Sequence, residues 1–192
     1  MKVHATVASS VLAVVAFASM EAESQAAVVI KNPNDHPAYR AELEPHGNIV
    51  FWHRYYGYRY RGYRYAGVGD PEFGAGFRAS IELGDPAFIP KLNNTVAISF
   101  GADITNCRFC PRGYGFTIWT PITMQWNFFL TDKWSVFADL GIMPRTIGFY
   151  HDVFFDFMAE IGGRYHFNDT VALTMRIGYP FVSVGVSFFV GS

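Results

Sequence analysis

The final part of the chain, from Val153 to Val190, alternates apolar and polar residues over three consecutive stretches. Successive side chains of a β-strand point to opposite faces, so this period of two predicts strands. One face of each stretch is almost continuously apolar, with aromatic residues near its ends, whereas the other mixes charges with glycine and serine. Each stretch has roughly the 9–11 residues that a tilted strand needs to cross a bilayer. This polarity is typical of a membrane-spanning β-barrel with its apolar side chains towards lipid.

The same alternation recurs upstream and predicts eight strands in total. They are Ala41–Trp52, Phe73–Leu83, Val96–Thr105, Phe116–Leu130, Trp134–Met143, Val153–Phe167, Val171–Tyr179 and Val182–Val190. Tight turns at 131–133 and 168–169 fall on one side, and longer loops at 54–70, 106–115 and 144–152 fall on the other. Outer-membrane barrels show this asymmetry of short periplasmic turns and longer external loops. The predicted fold class is therefore all-β, an eight-stranded antiparallel up-and-down transmembrane β-barrel.

The residues before the first strand divide into two segments. Residues 1–26 have a weakly basic start, a short apolar segment and then small residues, which predicts a signal peptide cleaved near Ala26. An uncleaved anchor helix is the alternative, although the apolar segment is short for one. Residues 27–40 are rich in Pro, Asn and Asp and predict a periplasmic lead-in with no fold of its own. Residues 41–190 then form the barrel.

The amino-acid composition narrows the class of protein to which the chain can belong. Aromatic residues make up 18% of the chain and hydrophobic residues 51%, yet no run of 18 apolar residues follows the N-terminal segment. A helical membrane protein is therefore not favoured. The net charge of −1 gives no indication of a nucleic-acid partner.

Over roughly residues 41–190 the chain resembles the small eight-stranded outer-membrane barrels of the OmpA/OmpX type. The resemblance rests on the strand pattern and on the last strand, where Val182, Val184 and Val186 lead to Phe188. That order is similar to the terminal aromatic signal of this class. The resemblance implies the outer membrane of a bacterium, with membrane lipid and lipopolysaccharide as the surroundings.

Charged residues concentrate on the predicted inward face. They are Arg78, Glu82, Asp103, Asp139, Asp156, Glu160, Arg164 and Arg176, with Glu42, Glu44, His46 and His166 as further candidates. An eight-stranded barrel is just wide enough for side chains to fill it, and charges in such an interior must be paired. We therefore predict a salt-bridged plug. A narrow proton, ion or small-ligand path and a catalytic pocket are the alternatives.

The loop after the first strand has the most biased composition. Four arginines are interleaved with tyrosines, and the candidate contact residues are Arg54, Tyr58, Arg59, Arg61, Tyr63 and Arg64. Guanidinium groups suit phosphate, and tyrosine rings stack on sugars, which predicts contact with lipopolysaccharide or with an unknown surface partner. Alternatively, the tyrosines form an interfacial aromatic belt. Nucleic acid is not favoured for an exported chain.

Cys107 and Cys110 form a C-x-x-C motif in the next loop. In an exported chain this pair favours a loop disulfide. A zinc site would need two more ligands, and thioredoxin-type chemistry would need a helix N-terminus. We predict neither a metal nor a cofactor.

An enzyme is the main functional alternative to a structural or surface-interaction barrel. Some barrels of the resembling class act as lipid acyltransferases or deacylases that use His, Ser and a carboxylate. These residue types are present, but no G-x-S-x-G motif is, so we predict no catalytic residues. A soluble barrel of the lipocalin type is the alternative fold, and the continuous apolar face disfavours it.

Overall fold

A computed structural model describes residues 27–54, 66–85, 88–107, 115–148 and 153–191. These ranges hold nine β-strands: β1 Ala41–Arg54, β2 Ala66–Gly84, β3 Asn94–Asn106, β4 Phe116–Trp119, β5 Ile122–Phe129, β6 Trp134–Ile147, β7 Val153–Asn168, β8 Val171–Tyr179 and β9 Phe181–Val190. A helix long and apolar enough to cross a membrane is not found among these residues.

The strands close into a ring with eight positions. Strand β1 pairs antiparallel with β2 on one side and with β9 on the other, which joins the first strand to the last. Strands β4 and β5 lie end to end, because each pairs with both β3 and β6. Together they fill one position of the ring. The prediction of an all-β, eight-stranded antiparallel barrel is therefore confirmed.

The predicted fourth strand, Phe116–Leu130, is interrupted in the structure. The break at Thr120 and Pro121 separates β4 from β5. Pro121 has no N–H to give to a ladder, although its carbonyl accepts from the Gly101 N–H at 3.2 Å. Thr120 donates its N–H to the carbonyl of Pro144 at 2.8 Å, so the break stays attached to the neighbouring strand.

Two strands are longer than their patterns predict. Strand β2 begins at Ala66 rather than Phe73, and β6 continues to Ile147 rather than ending at Met143. The Tyr, Arg and Gly of residues 54–70 predict a loop before Phe73, and a loop is predicted to begin at Pro144. Pro144 nevertheless lies opposite Phe155 in the ladder between β6 and β7. Part of each predicted loop, 66–70 and 144–147, is therefore strand.

The distribution of polarity is the reverse of that in a soluble protein. Large apolar side chains point outward, and Phe155, Leu140 and Ile161 are 70%, 67% and 64% exposed. Arg78 and Arg164 point inward and are each 1% exposed. These apolar and charged side chains lie on the outward and inward faces that the alternation in the sequence predicts.

The two ends of the barrel differ. One end, which we call the turn end, holds the connections 85–93, 130–133 and 169–170. At this end the residues before β1 pack against the strands. Val28 forms a β-bridge with Thr131, and the Val29 N–H donates to the Leu130 carbonyl at 3.3 Å. The Ile30 carbonyl accepts from the Asn93 N–H at 2.8 Å. The lead-in thus has no strand of its own but closes this end. At the opposite end, the loop end, only Pro180 separates β8 from β9.

Candidate functional site in the barrel interior

Strand β1 places alternate side chains at successive heights of the interior. Its inward positions, all buried, run from the turn end to the loop end as Glu42, Glu44, His46, Asn48 and Val50. This order follows from the period of two along the strand. The first four meet partners from strands elsewhere in the ring, which builds the interior in layers.

The layer nearest the turn end is built around Arg164. Its Nε and Nη2 atoms donate to the two carboxylate oxygens of Glu42 at 2.9 and 2.7 Å. The remaining nitrogen, Nη1, donates to Asn127 Oδ1 at 2.9 Å, and Ser187 Oγ donates to Glu42 Oε1 at 2.5 Å. This two-pronged geometry is the strongest form of an arginine–carboxylate pair.

The next layer is built around Arg176. Its guanidinium donates to both oxygens of Glu44 and, through Nη1, to Asp139. The Phe137 ring contacts both guanidinium groups, with its centroid 4.0 Å from Cζ of Arg164 and 4.4 Å from Cζ of Arg176. Phe137 therefore attracts both charges through its π electrons.

Arg78 joins the third layer. Its Nη1 donates to Glu160 Oε2 at 2.9 Å, and Nη2 lies 3.8 Å from Asp103 Oδ2. The other oxygen of Asp103 is 2.6 Å from His46 Nε2 and accepts from Asn48 Nδ2 at 2.7 Å. This layer therefore links four strands of the ring, β1, β2, β3 and β7.

An apolar cluster follows towards the loop end. It consists of Val50, Trp119, Met143, Met158 and Phe181. Beyond it, Arg145 Nε lies 2.8 Å from Asp156 Oδ2, and its Cζ lies 5.3 Å from the Trp119 ring centroid. The sequence does not single out Arg145 as an interior residue, because it predicts a loop that begins at Pro144. Asp139, Gly141 and Met143 are alternate residues on the inward face of β6. Continuing the same alternation by two residues predicts that Arg145 also points inward.

Seven of the eight predicted interior residues meet in ion pairs. They are Arg78, Asp103, Asp139, Asp156, Glu160, Arg164 and Arg176. Glu82 differs: it lies at the turn end of β2, is only partly buried and neighbours the like charge of Asp85. Within the described ranges no ion pair includes Glu82.

His166, a further candidate, lies at the turn end. Its Nε2 is 2.8 Å from Ser135 Oγ, and its ring stacks on Phe189 at 5.3 Å between centroids. Ser135 is completely buried. The structure thus brings one serine and one histidine together, but inside the barrel, where a lipid ester outside it has no access to the hydroxyl.

The lead-in covers this region. His36 stacks on Phe129 with centroids 4.0 Å apart, and its Nδ1 lies 2.6 Å from Asn93 Oδ1. Tyr39 packs edge to face on Phe189 at 4.8 Å. Burial raises the pKa of the Tyr39 phenol well above its usual value. We call His36 and Tyr39, with the backbone contacts of Val29 and Ile30, the turn-end cap.

The predicted loop contacts mostly lie outside the described residues. Arg54 ends β1, and nothing further is described for Tyr58, Arg59, Arg61, Tyr63 and Arg64. Cys107 follows β3, is buried and is disulfide-bonded. Cys110 falls outside the described ranges, so its pairing stays a prediction. Among the residues described, no group of three or more His, Cys, Asp and Glu side chains could hold a metal ion.

Comparison with protein-family models and with curated proteins finds no match to this chain. The fold and the polarity of its two faces are therefore the features from which a function can be inferred.

Proposed function

We propose that this chain is an integral β-barrel of a bacterial outer membrane. In this proposal the interior is a stabilising plug, and the loop end displays contacts to lipopolysaccharide or to another surface. The observation that supports it most is the inverted polarity, with Phe155, Leu140 and Ile161 mostly exposed around a charged interior. Soluble monomers rarely expose contiguous apolar patches above a few hundred Å², whereas in lipid such a face is well solvated.

The height of the apolar belt fits a bilayer. On β7 the outward aromatic residues fall into two groups, Phe155 and Phe157 near the loop end, and Tyr165 and Phe167 near the turn end. From Phe155 to Tyr165, at about 3.3 Å per residue and a tilt of about 40°, the vertical distance is roughly 25 Å. That is about the height of the apolar band between the aromatic girdles of such barrels.

The filled interior favours a structural role over transport. Glu42, Glu44, Arg78, Arg164 and Arg176 are each 2% exposed or less, so side chains rather than water occupy the lumen at their heights. The serine–histidine pair is enclosed in the same way. We therefore assign no catalytic or conducting role to the interior.

A pair of matched substitutions tests membrane integration. Ile161 and Val28 are both exposed branched apolar residues, at 64% and 67%, but only Ile161 lies at mid-height of the belt. Ile161→Arg is expected to cost about 2–4 kcal/mol of folding free energy in bilayers, the usual cost of arginine on the lipid face at the midplane. Val28→Arg is expected to change it little. Urea unfolding in phospholipid vesicles measures both.

The opposite outcome is as informative. A soluble barrel would tolerate Ile161→Arg and gain solubility from it. If the chain stays in solution without detergent and Ile161→Arg is as stable as the parent, the proposed location is wrong.

A further inference from the structure

The three charged layers of the interior hold more carboxylates than cations. Nine ionisable side chains of the described residues form these layers, and each is 6% exposed or less. They are Glu42, Glu44, Asp103, Asp139, Glu160, Arg78, Arg164, Arg176 and His46. With every carboxylate ionised and His46 neutral, five negative and three positive charges would leave a net charge of −2. Such a charge is very costly inside a protein, and buried groups take up protons instead.

The contacts of His46 require two N–H groups on its ring. Its Nε2 lies 2.6 Å from Asp103 Oδ1, an oxygen that also accepts from Asn48 Nδ2. Its Nδ1 lies 3.2 Å from the backbone carbonyl oxygen of Glu44. Carboxylate and carbonyl oxygens only accept hydrogen bonds, so both ring nitrogens act as donors here. A histidine with two donors is an imidazolium cation.

The five carboxyl groups differ in their hydrogen bonds. Donors reach both oxygens of three of them, Glu42, Glu44 and Asp139. Asp103 accepts two hydrogen bonds through Oδ1, and its Oδ2 faces Arg78 Nη2 at 3.8 Å. Glu160 accepts from Arg78 through Oε2, whereas its Oε1 is buried with no donor among the described residues.

The charged neighbours of Glu160 also favour a neutral carboxyl group. Asp139 lies directly opposite it in the ladder between β6 and β7, and both side chains are buried in the interior. Like charges at opposite positions of paired strands repel each other. The cations that face Glu160 are Arg78 on β2 and Arg176 on β8. Arg176 already binds two carboxylates, those of Glu44 and Asp139. Glu160 is therefore the carboxyl group that gains least from ionisation.

We propose that the interior binds two protons at neutral pH, one that makes His46 a cation and one that keeps Glu160 a neutral carboxylic acid. Four carboxylates then face three guanidiniums and one imidazolium, and the layers carry no net charge. Arg78 still donates to Glu160 Oε2, which is the carbonyl oxygen of the acid. The barrel itself buries these groups, so the inference does not depend on the membrane location.

Infrared spectra of the folded protein in detergent micelles at neutral pH test the proton on Glu160. A neutral carboxyl group has a carbonyl stretching band that is separate from the carboxylate bands. We expect this band in the parent, its loss in Glu160→Gln and its retention in the matched control Glu42→Gln, whose carboxylate binds Arg164. Glutamine is neutral like the proposed acid, so Glu160→Gln should change the equilibrium constant for unfolding by less than about tenfold. Glu42→Gln should raise it by about a hundredfold or more.

The dependence of stability on pH is a second measurement. An unfolded chain has lost nearly all of both protons above pH of about 7.5, so unfolding releases them and stability falls as the pH rises. Each such proton makes the unfolding constant rise about tenfold per pH unit. Between about pH 7.5 and 8.5, Glu160→Gln and His46→Gln should each lower this slope by about one proton relative to the parent. Glu42→Gln should leave the slope unchanged.

Several outcomes would overturn the proposal. A parent without the neutral-carboxyl band is sufficient, as is a Glu160→Gln variant that fails to fold, keeps the band or keeps the slope of the parent. Loss of the band in Asp139→Asn with retention in Glu160→Gln would assign the proton to Asp139 instead. An unfolding midpoint that rises with sodium chloride but not with choline chloride, in a parent without the band, would show that a bound cation balances the charge.

Discussion

At the scale of single residues, the interior shows how charges are held in a narrow barrel. Glu42 is satisfied by Arg164 and Ser187, and Arg164 also reaches Asn127. Such a pair gives little net stability compared with apolar side chains of equal volume, but removal of one partner leaves a buried charge uncompensated. Substitution of one partner of an interior pair is therefore more destabilising than replacement of both partners by apolar residues.

Arg164→Ala is expected to lower the free energy of unfolding by about 3–5 kcal/mol, because it leaves the Glu42 carboxylate buried without its guanidinium. Urea unfolding in vesicles measures the loss. The double variant Arg164→Met with Glu42→Leu serves as the control and should be more stable than the single variant, since no charge is left behind. A single variant that unfolds like the parent would refute the plug.

Gly162→Ala tests the space around Phe137. A Cβ atom on Gly162 would lie 2.1 Å from Phe137 Cζ and 2.7 Å from the Met175 carbonyl oxygen. We expect a loss of about 1–3 kcal/mol from overpacking. The adjacent Gly163→Ala, which points outward into open space, should change stability by less than about 0.5 kcal/mol. Equal effects of the two variants on the unfolding midpoint would contradict the inward and outward assignment.

At the scale of elements, the turn-end cap is the feature that the strand pattern does not reveal. The lead-in has no alternation and forms no strand, yet Tyr39 and Val29 belong to one buried cluster with Phe129, Ala172 and Phe189. Its contacts depend on the turns of distant strands, so local sequence carries no signal for them. The break between β4 and β5 is different, because Pro121 is visible in the sequence and removes a ladder donor.

The cap predicts a loss of stability at alkaline pH. Burial raises the pKa of Tyr39 above the value of about 10 for an unfolded tyrosine. The neutral phenol therefore stabilises the fold fully below pH of about 10, and this contribution falls as the pH rises beyond that. Between pH 8 and pH 11 the unfolding midpoint of the parent should fall more than that of Tyr39→Phe. Equal falls would show that another group titrates.

At the scale of the whole molecule, closure of the ring of strands and filling of its interior by side chains act together. Closure pairs the edges of β1 and β9, and the charged layers and the apolar cluster occupy the space inside. In the membrane location that we propose, stability comes from the ladders, from packing and from the interior, since apolar burial from water supplies no force within a bilayer.

Reconstituted protein is expected to show no stepwise ion current in planar bilayers, because buried side chains fill the lumen at each height described. The control is the variant Phe137→Ala with Arg176→Ala, which removes two interior side chains and should raise current noise or produce brief openings. Steady channels in the parent would favour the narrow-pore alternative over the plug.

The sequence by itself determined the strand parity, the number of ring positions and which face of each strand is charged. These follow from the period of two, a local property of the chain. Parity alone places a side chain inside or outside, and seven of the eight residues named on that basis lie in ion pairs of the interior.

Only the tertiary structure decided which charged side chains pair with each other. Arg164 reaches Glu42 and Arg176 reaches Glu44 across 122 and 132 residues, and Gly162 makes room for Phe137 on the neighbouring strand. These partners depend on register and on closure of the ring, where a shift of one residue would turn every side chain to the opposite face. The continuation of β6 through Pro144 and the turn-end cap were decided at the same level. Each arises from contacts between segments that are distant in sequence, and local alternation does not encode those contacts.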